Sequence, residues 1–271
     1  MRNFLRFGSL QALSCIFPVI IFAALALSKF VEIPFFPRYD FILLVCIAAQ
    51  VLMLASKLET FDEFKVICVF HVIGLGLELY KVHMGSWTYP EEAYSKFFGV
   101  PLYSGFMYAS VASYICQAWR RMDLKIYDWP KPFFTVAISF LIYANFFTHH
   151  FTYDFRWALK AVLFVVFFRT AVTFRVNQSI YKMPMILSFL LIGFFIWIAE
   201  NITTFLGAWQ YPNQHAVWSL VHIGKISSWF LLVIISVIIV AQLKRVKSSL
   251  KYGEKAFPSS SPVIRNAYRK N

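Results

Sequence analysis

The stretch GLGLELYKVHMGSWTYPEE, residues 74 to 92, joins an apolar, helix-forming run to a turn rich in Gly, Trp, Tyr and Pro. Its glutamate and its turn recur in WIAENITTFLGAWQYPNQ, residues 197 to 214. The shared pattern is E-x6-G-small-W-x-Y-P, and Glu78 and Glu200 begin the two copies. Identities at a fixed spacing indicate an internal duplication.

Apolar runs of bilayer length surround both copies. The chain has 271 residues, of which 59% are hydrophobic and only 14% charged, whereas soluble domains carry about 25% charged residues. Runs of this length are typical of helices that cross a bilayer. They predict eight spans, at Leu10–Leu27, Tyr39–Ser56, Phe64–Tyr80, Val100–Ala118, Pro132–Phe147, Ala158–Phe174, Met183–Leu206 and Trp218–Leu243.

The positions of the two copies predict how the spans are organised. Each copy ends an odd-numbered span and precedes an even-numbered one, which indicates a parallel repeat. We therefore assign residues 1–122 to a first four-helix repeat, 123–244 to a second, and 245–271 to a basic cytoplasmic tail whose Pro and Ser content predicts disorder. The predicted fold class is an all-α membrane protein, a polytopic bundle of about eight transmembrane helices built from two parallel four-helix repeats.

The net charge of +13 follows from topology rather than from nucleic-acid binding. Most of the 26 lysines and arginines fall in the termini and in the loops on the same side as the termini, as the positive-inside bias requires. Both termini are therefore predicted to be cytoplasmic, with membrane lipids as partners and no nucleic acid. The first apolar stretch exceeds the 7 to 15 residues of a signal-peptide core, so we read it as an uncleaved span.

The two glutamates are candidate acid/base groups. The Gly, Trp, Tyr and Pro that follow them are explained by an interfacial turn, but that explanation does not cover Glu78 and Glu200. Seven residues of helix place each carboxylate about 10 Å below the turn. A carboxylate that faces lipid costs several kcal/mol, so both are predicted to face the bundle interior.

Further polar residues near the same end predict an outward-facing pocket floored near His71. Its candidate binding residues are His71, Lys81, Trp87, Tyr89, Asn201, Trp209, Tyr211, His222 and Lys225. Structural alternatives remain open: Glu78 with Lys81 as a helix-surface pair, Lys225 with Glu200 as a buried ion pair, and the histidines as interfacial residues. Gly74 would let a neighbouring helix or a ligand approach closely.

Other chemistries are excluded or secondary. The chain has no G-x-S-x-G, Walker, G-x-G-x-x-G or H-E-x-x-H sequence. No metal is predicted, with His149, His150 and Asp154 as the alternative ligand set. The sequence identifies no cofactor, no small-molecule ligand and no oligomeric state.

The block FHVIGLGLELYKVHMGSWTYPEEAYSKFFGVPLYSGFMYASVASYICQAWRR, residues 70 to 121, resembles a bacterial integral membrane family catalogued only as a domain of unknown function. The resemblance runs from FPRYDF at residue 36 to AENITTFLGAWQYP at residue 199. It implies a multi-pass protein of the bacterial cytoplasmic membrane and supplies no activity.

A second similarity is to the heterodimer-type integral-membrane lycopene cyclases. These are also duplicated bundles with an acidic residue, a Gly-x-Trp-type turn and a span that begins near a Pro, an outline that GSWTYPEEAYSKFFGVPLYSGF (residues 85 to 106) follows. The cyclases have an acidic pair soon after that Pro, whereas this chain reads Pro101-Leu102-Tyr103-Ser104-Gly105. This departure argues against cyclase activity.

Three functions remain open at this point. The pocket fits an enzyme that acts on a lipid or isoprenoid by acid catalysis, with a buried glutamate as proton donor and aromatic residues facing a developing cation. Its carboxylates at corresponding depths also fit a proton- or cation-coupled small-solute transporter. A non-catalytic membrane scaffold or sensor is the third.

Overall fold

The computed structural model describes residues 1–31 and 36–252, with side chains up to Ala241. This part of the chain is mostly helical, as predicted. Its helices are α1 (Arg2–Ser14), α2 (Ile16–Phe30), α3 (Arg38–Ala55), α4 (Phe61–His83), α5 (Ser104–Arg121), α6 (Pro132–Thr148), α7 (Arg156–Phe167), α8 (Met185–Phe205) and α9 (Lys225–Tyr252). Its strands are β1 (Lys96–Phe97), β2 (Val100–Pro101), β3 (Lys125–Tyr127), β4 (Ala171–Val176) and β5 (Ser179–Pro184).

Several of these helices are long and apolar enough to cross a membrane. In the described residues, α3, α4 and α8 meet this condition singly, and α1 and α2 meet it together although they are bent by 66° at Cys15. The shorter apolar helices are α6 and the Lys225–Ala241 part of α9. Since α9 continues to Tyr252, the first residues of the predicted tail are helical, and residues 253–271 lie outside the described residues.

Besides the first predicted span, which is broken at Cys15, three others differ from the observed elements. The fourth begins at Ser104 rather than Val100, because Val100 and Pro101 form β2 and pair with β1. The sixth is shortened to the 12 residues of α7, since the apolar run continues into β4. The eighth begins at Lys225 rather than Trp218, so Lys225 is the first residue of α9 instead of lying seven residues after its start.

A small antiparallel sheet, which the sequence analysis did not predict, closes one end of the bundle. Its strand order is β3-β4-β5, with Ile126 opposite Val172 and Val172 opposite Met183. The amide of Asn3 donates to the Tyr181 hydroxyl at 2.9 Å, so the amino terminus packs against this sheet. We call this end of the bundle the sheet end.

The two copies of the motif meet at the opposite end, which we call the motif end. The helix pair α4–α5 flanks the first copy and the pair α8–α9 flanks the second. The α4–α5 contact is close because Gly74 and Gly105 have no side chain: a Cβ on Gly74 would lie 2.5 Å from the Tyr108 ring. A buried core of aliphatic and aromatic residues from α4, α5, α6, α7, α8 and α9 fills the space between these pairs and the sheet.

Candidate functional site

The two motif turns have the same backbone geometry. Gly85 and Gly207 both have positive φ, at +67° and +77°, which explains why glycine stands at this position in each copy. The next amide donates back to the preceding helix in each case, from Ser86 to the Lys81 carbonyl and from Ala208 to the Thr203 carbonyl, both at 2.9 Å.

The two turns also pair with each other. Thr88 and Gln210, which hold the same position in the two copies, exchange both backbone hydrogen bonds at 2.9 Å. The Trp87 ring lies edge-on to the Tyr211 ring, with centroids 5.9 Å apart. This pairing brings together two segments that are far apart in sequence. Glu78 and Glu200 therefore both lie beneath the paired turns.

Glu78 is buried at this joint and accepts three hydrogen bonds from aromatic side chains. Its Oε2 accepts from Trp87 Nε1 at 2.7 Å and from the Tyr89 hydroxyl at 2.8 Å. Its Oε1 accepts from the Tyr108 hydroxyl at 2.8 Å. The close approach of α5 to Gly74 is what brings Tyr108 within reach of the carboxylate.

Glu200 is held in the same manner by the second copy. Its Oε1 accepts from the Tyr211 hydroxyl at 2.5 Å, and its Oε2 accepts from Trp229 Nε1 at 2.7 Å. Trp209, the counterpart of Trp87, is buried and lines the adjacent cavity but donates no hydrogen bond to Glu200. Trp229 on α9 takes that role.

Sequence reasoning missed two of these donors, Tyr108 and Trp229. Aligning VPLYSGFMY (residues 100 to 108) with VHIGKISSW (residues 221 to 229) places these two residues at equivalent positions. That alignment, which needs a one-residue gap after the motif, was the available signal, because an aromatic donor stands 30 residues after Glu78 and 29 residues after Glu200.

Lys225 lies between the two turns but pairs with neither glutamate. Its Nζ is 4.5 Å from the centroid of the Tyr211 ring and 5.3 Å from that of Trp87. No ion pair or hydrogen bond to this ammonium group occurs within the described residues, so the alternative of a direct Lys225–Glu200 bridge is wrong. Its charge still interacts with both carboxylates through space.

Lys81 is buried beside the loop after α6 rather than paired with Glu78 on the helix surface. Its Nζ donates to the Phe146 carbonyl at 2.9 Å and lies 3.0 Å from His150 Nε2. Burial, and next the charge of Lys81, lowers the pKa of His150. His149 Nε2 lies 3.5 Å from the same ammonium group.

The alternative metal ligands do not assemble. Asp154 binds Arg156, with Oδ2 2.5 Å from the guanidinium. Burial alone would raise the pKa of Asp154, but the hydrogen bonds from Arg156 and Asn145 lower it to about 2. Within the described part of the chain, no three His, Cys, Asp or Glu side chains are arranged to hold a metal ion.

The remaining predicted binding residues have structural contacts. His71 packs against Gly105 and Phe106 on α5 and does not line the cavity. Asn201 accepts from the Val221 amide at 2.9 Å and donates to the Trp197 carbonyl at 2.8 Å, which anchors the segment before α9. His222 is exposed, and its Nδ1 accepts from the Gly224 amide at 3.0 Å.

A cavity of about 880 Å³ leads from the sheet end to the two glutamates. Its walls are apolar side chains of α1, α2, α5, α8 and α9, such as Phe7, Phe22 and Ile192. Among the described residues, the Lys, Arg, Asp and Glu side chains that line it all lie toward the motif end, and these are Glu78, Lys81, Arg156, Glu200 and Lys225. The volume lies within the range of about 300–1,000 Å³ typical of small-molecule sites.

Comparisons with known proteins place the chain without assigning it an activity. A family described as "Protein of unknown function (DUF817)" matches residues 3–237. An uncharacterised protein of Bacillus subtilis (strain 168), YoaT, is 61% identical over 247 residues, which cover 91% of this chain and 94% of that protein. No solved structure matches, and a similarity to the lycopene cyclases is not shown.

Proposed function

Because the chain belongs to the DUF817 family, the unknown-function family predicted from residues 70 to 121, we propose its function from the geometry of the site. We propose a multi-pass protein of the bacterial cytoplasmic membrane that acts as an enzyme on a lipid or isoprenoid by acid–base catalysis. One observation carries this proposal: an apolar cavity of about 880 Å³ ends at two buried, hydrogen-bonded carboxyl groups.

The cavity is suited to an elongated apolar substrate. It runs from residues near the sheet, such as Val172 and Phe174, to the glutamates beneath the motif turns. A long hydrocarbon chain would bury its length against the walls and gain roughly 25 cal/mol for each Å² of apolar surface removed from water. Its reactive end would then lie beside Glu78 and Glu200.

The surroundings of the two glutamates fit proton transfer. A protonated carboxyl can add its proton to an alkene carbon, and the second carboxylate can take a proton from the carbon next to the resulting cation, so that the double bond moves and charge is conserved. The Trp and Tyr donors then stabilise the carboxylate that is formed. The ring faces of Trp87 and Tyr211 already contact the Lys225 ammonium, so they can also lie against a developing carbocation.

The arrangement of the helices supports eight crossings and two parallel repeats as part of the proposal. Taking α1–α2 as one segment, the helices alternate in direction between the sheet end and the motif end. Asn3 and β5 meet at the sheet end, whereas Arg38 binds the Leu206 carbonyl at the motif end. The equivalent hydrogen bonds of Glu78 and Glu200 support the duplication. We place the sheet end, with both termini, in the cytoplasm.

The first test is mass spectrometry of the molecules that co-purify with the protein. Wild type is expected to retain a lipid or isoprenoid that Glu200→Gln and Glu78→Gln retain in altered amount or in unconverted form. Glu92→Gln is the matched control, because its side chain is 92% exposed at the same end of the molecule. Identical molecules from all four proteins, together with unchanged cellular lipid profiles, would refute the enzyme.

A proton- or cation-coupled carrier is the second candidate. The observation that favours it is that two carboxylates and two lysines line one cavity. Against it, every carboxylate oxygen of Glu78 and Glu200 is held by a Trp or Tyr donor, an arrangement that favours a fixed site over one that alternates between two sides. Solute flux into proteoliposomes that depends on a pH gradient and on both glutamates would establish the carrier instead.

A further inference from the structure

Positive charge converges on the end of the cavity that holds the glutamates. Lys81, Arg156 and Lys225 line this end and are close enough to repel one another electrostatically. Lys81 and Arg156 are held by protein groups, the first by the Phe146 carbonyl and the second by Asp154 and Ser228. Their charges remain available through space, but their hydrogen-bonding capacity is largely used.

Lys225 is different because its donors are unused. Its half-buried ammonium faces the cavity over the rings of Tyr211 and Trp87 and has no hydrogen-bond acceptor among the described residues. The oxygens of Glu78 and Glu200 are already occupied by aromatic donors. An acceptor for Lys225 therefore has to come from a ligand or from water.

The comparison between the two repeats indicates that Lys225 is not needed to build the turn. The alignment that pairs Tyr108 with Trp229 pairs Ser104 with Lys225. The first copy forms the same backbone turn, and Trp and Tyr side chains donate to its glutamate, with a serine at this position. A lysine at only one of two equivalent positions is thus explained by a ligand better than by folding.

We propose that the motif end of the cavity binds the phosphate headgroup of a long-chain lipid, with Lys225 donating to a phosphate oxygen and Lys81 and Arg156 adding attraction. A phosphate carries up to two negative charges and several acceptor oxygens. The charges match the three cations at this end of the cavity, and the oxygens can accept from the Lys225 ammonium. The apolar length of the cavity holds the chain. This inference names the substrate class of the site and rests on the function proposed above.

The test is competition binding with the full chain in phosphatidylcholine nanodiscs, with empty nanodiscs as background. Labelled hexadecyl phosphate is the probe, and unlabelled hexadecyl phosphate, hexadecanol and inorganic phosphate are the competitors. Lys225→Met is the variant. Lys160→Met is the matched control, because Lys160 on α7 stacks on Trp157 and does not line the cavity.

We expect hexadecyl phosphate to compete about tenfold or more better than hexadecanol, as a charge-assisted hydrogen bond predicts. Lys225→Met should remove most of that preference and leave hexadecanol unchanged, and Lys160→Met should behave as wild type. Equal competition by the phosphate and the alcohol in wild type overturns this inference while leaving a lipid-binding cavity. Inorganic phosphate competing as well as hexadecyl phosphate overturns the lipid as its source, and no binding of either long-chain probe overturns the proposed function too.

Discussion

Gly74 is the residue on which the approach of α5 to Glu78 depends. A Cβ at this position would lie 2.5 to 2.6 Å from three atoms of the Tyr108 side chain. We therefore predict that Gly74→Ala lowers stability by about 1–3 kcal/mol through overpacking and displaces Tyr108 from the carboxylate. The measurement is the thermal unfolding midpoint of the purified protein in one fixed detergent.

Gly76 supplies the control on the same helix. A Cβ there meets nothing within 4 Å, so Gly76→Ala should leave the midpoint unchanged or raise it, since alanine favours a helix by about 1 kcal/mol. If both variants shift the midpoint equally, the close contact between Gly74 and Tyr108 does not limit stability.

The aromatic donors to the glutamates form a second residue-scale prediction. Tyr108→Phe removes one hydrogen bond to Glu78, and Trp229→Phe removes one to Glu200. Hydrogen bonds to charged groups contribute about 1.5–3 kcal/mol each, so both variants should unfold at lower temperature than wild type. Tyr143→Phe, whose hydroxyl has no hydrogen bond among the described residues, should not, and a similar loss in all three would contradict the assignment.

Asp154 gives a prediction about pH. The pKa of its carboxyl is lowered to about 2 in the folded protein, against an ordinary value near 3.9. A lowered pKa stabilises the fold at pH values above the ordinary one, and that contribution is lost as the pH falls through about 2. The unfolding midpoint of wild type should therefore fall more steeply between pH 4 and pH 2 than that of Asp154→Asn, whereas parallel curves would exclude this origin.

Part of the site could be predicted at this scale and part could not. The spacing of the motif indicated Glu78, Glu200, Trp87, Tyr89 and Tyr211, and the structure brings these five together. The sequence of α4 alone could not show whether His71 forms the floor of the pocket, because this depends on where α5 packs. In the structure α5 lies directly against His71, since Gly105 has no side chain. Whether any of these residues is catalytic stays a prediction.

Among the elements, the carboxyl end of α8 depends on a side chain from α3. Arg38 donates to the carbonyls of Leu206 at 2.6 Å and Gly207 at 3.2 Å, and it pairs with Glu91 at 2.6 Å. Helix ends leave carbonyls without partners, so Arg38→Gln should lower stability by at least about 2 kcal/mol and loosen the turn that holds Tyr211.

The Arg38 prediction can be checked with thermal unfolding and with the hexadecyl phosphate assay on one preparation. Lys182→Gln, an exposed charge removal on β5, is the control. If Arg38→Gln unfolds as wild type does, Arg38 does not hold the end of α8. A drop in stability without a change in binding would show that the turn keeps its geometry by pairing with the first copy.

The elements that sequence analysis missed have a common physical cause. The run ALKAVLFVVFFRTAVTF, residues 158 to 174, is apolar apart from Lys160, Arg169 and two threonines, and hydrophobicity alone does not separate a helix from a strand. The chain changes after Phe167 because the next residues include the β-branched Val172 and Thr173, which pair with β3 and β5. Pairing with strands distant in sequence is invisible in a single run.

For the whole molecule, the two ends of the bundle differ in chemistry. The sheet end carries basic residues such as Lys125, Arg175 and Lys182 together with the amino terminus, whereas the motif end carries the paired turns and the charged end of the cavity. A positively charged end favours the cytoplasmic side of a membrane. The end of the cavity that we propose to bind a phosphate headgroup would then face outward, so the headgroup would lie in the outer leaflet.

This orientation predicts which single cysteines an impermeant maleimide can label in intact cells. With Cys15, Cys46, Cys68 and Cys116 replaced by alanine, Glu92→Cys at the motif end should react in intact cells, because its side chain is 92% exposed. Ser179→Cys at the exposed turn of β4 and β5 should react only after the membrane is opened. The reverse pattern would invert the topology. Labelling of both sites in intact cells would rule out the crossing pattern, because helices that cross the membrane between the sheet end and the motif end place these two ends on opposite sides.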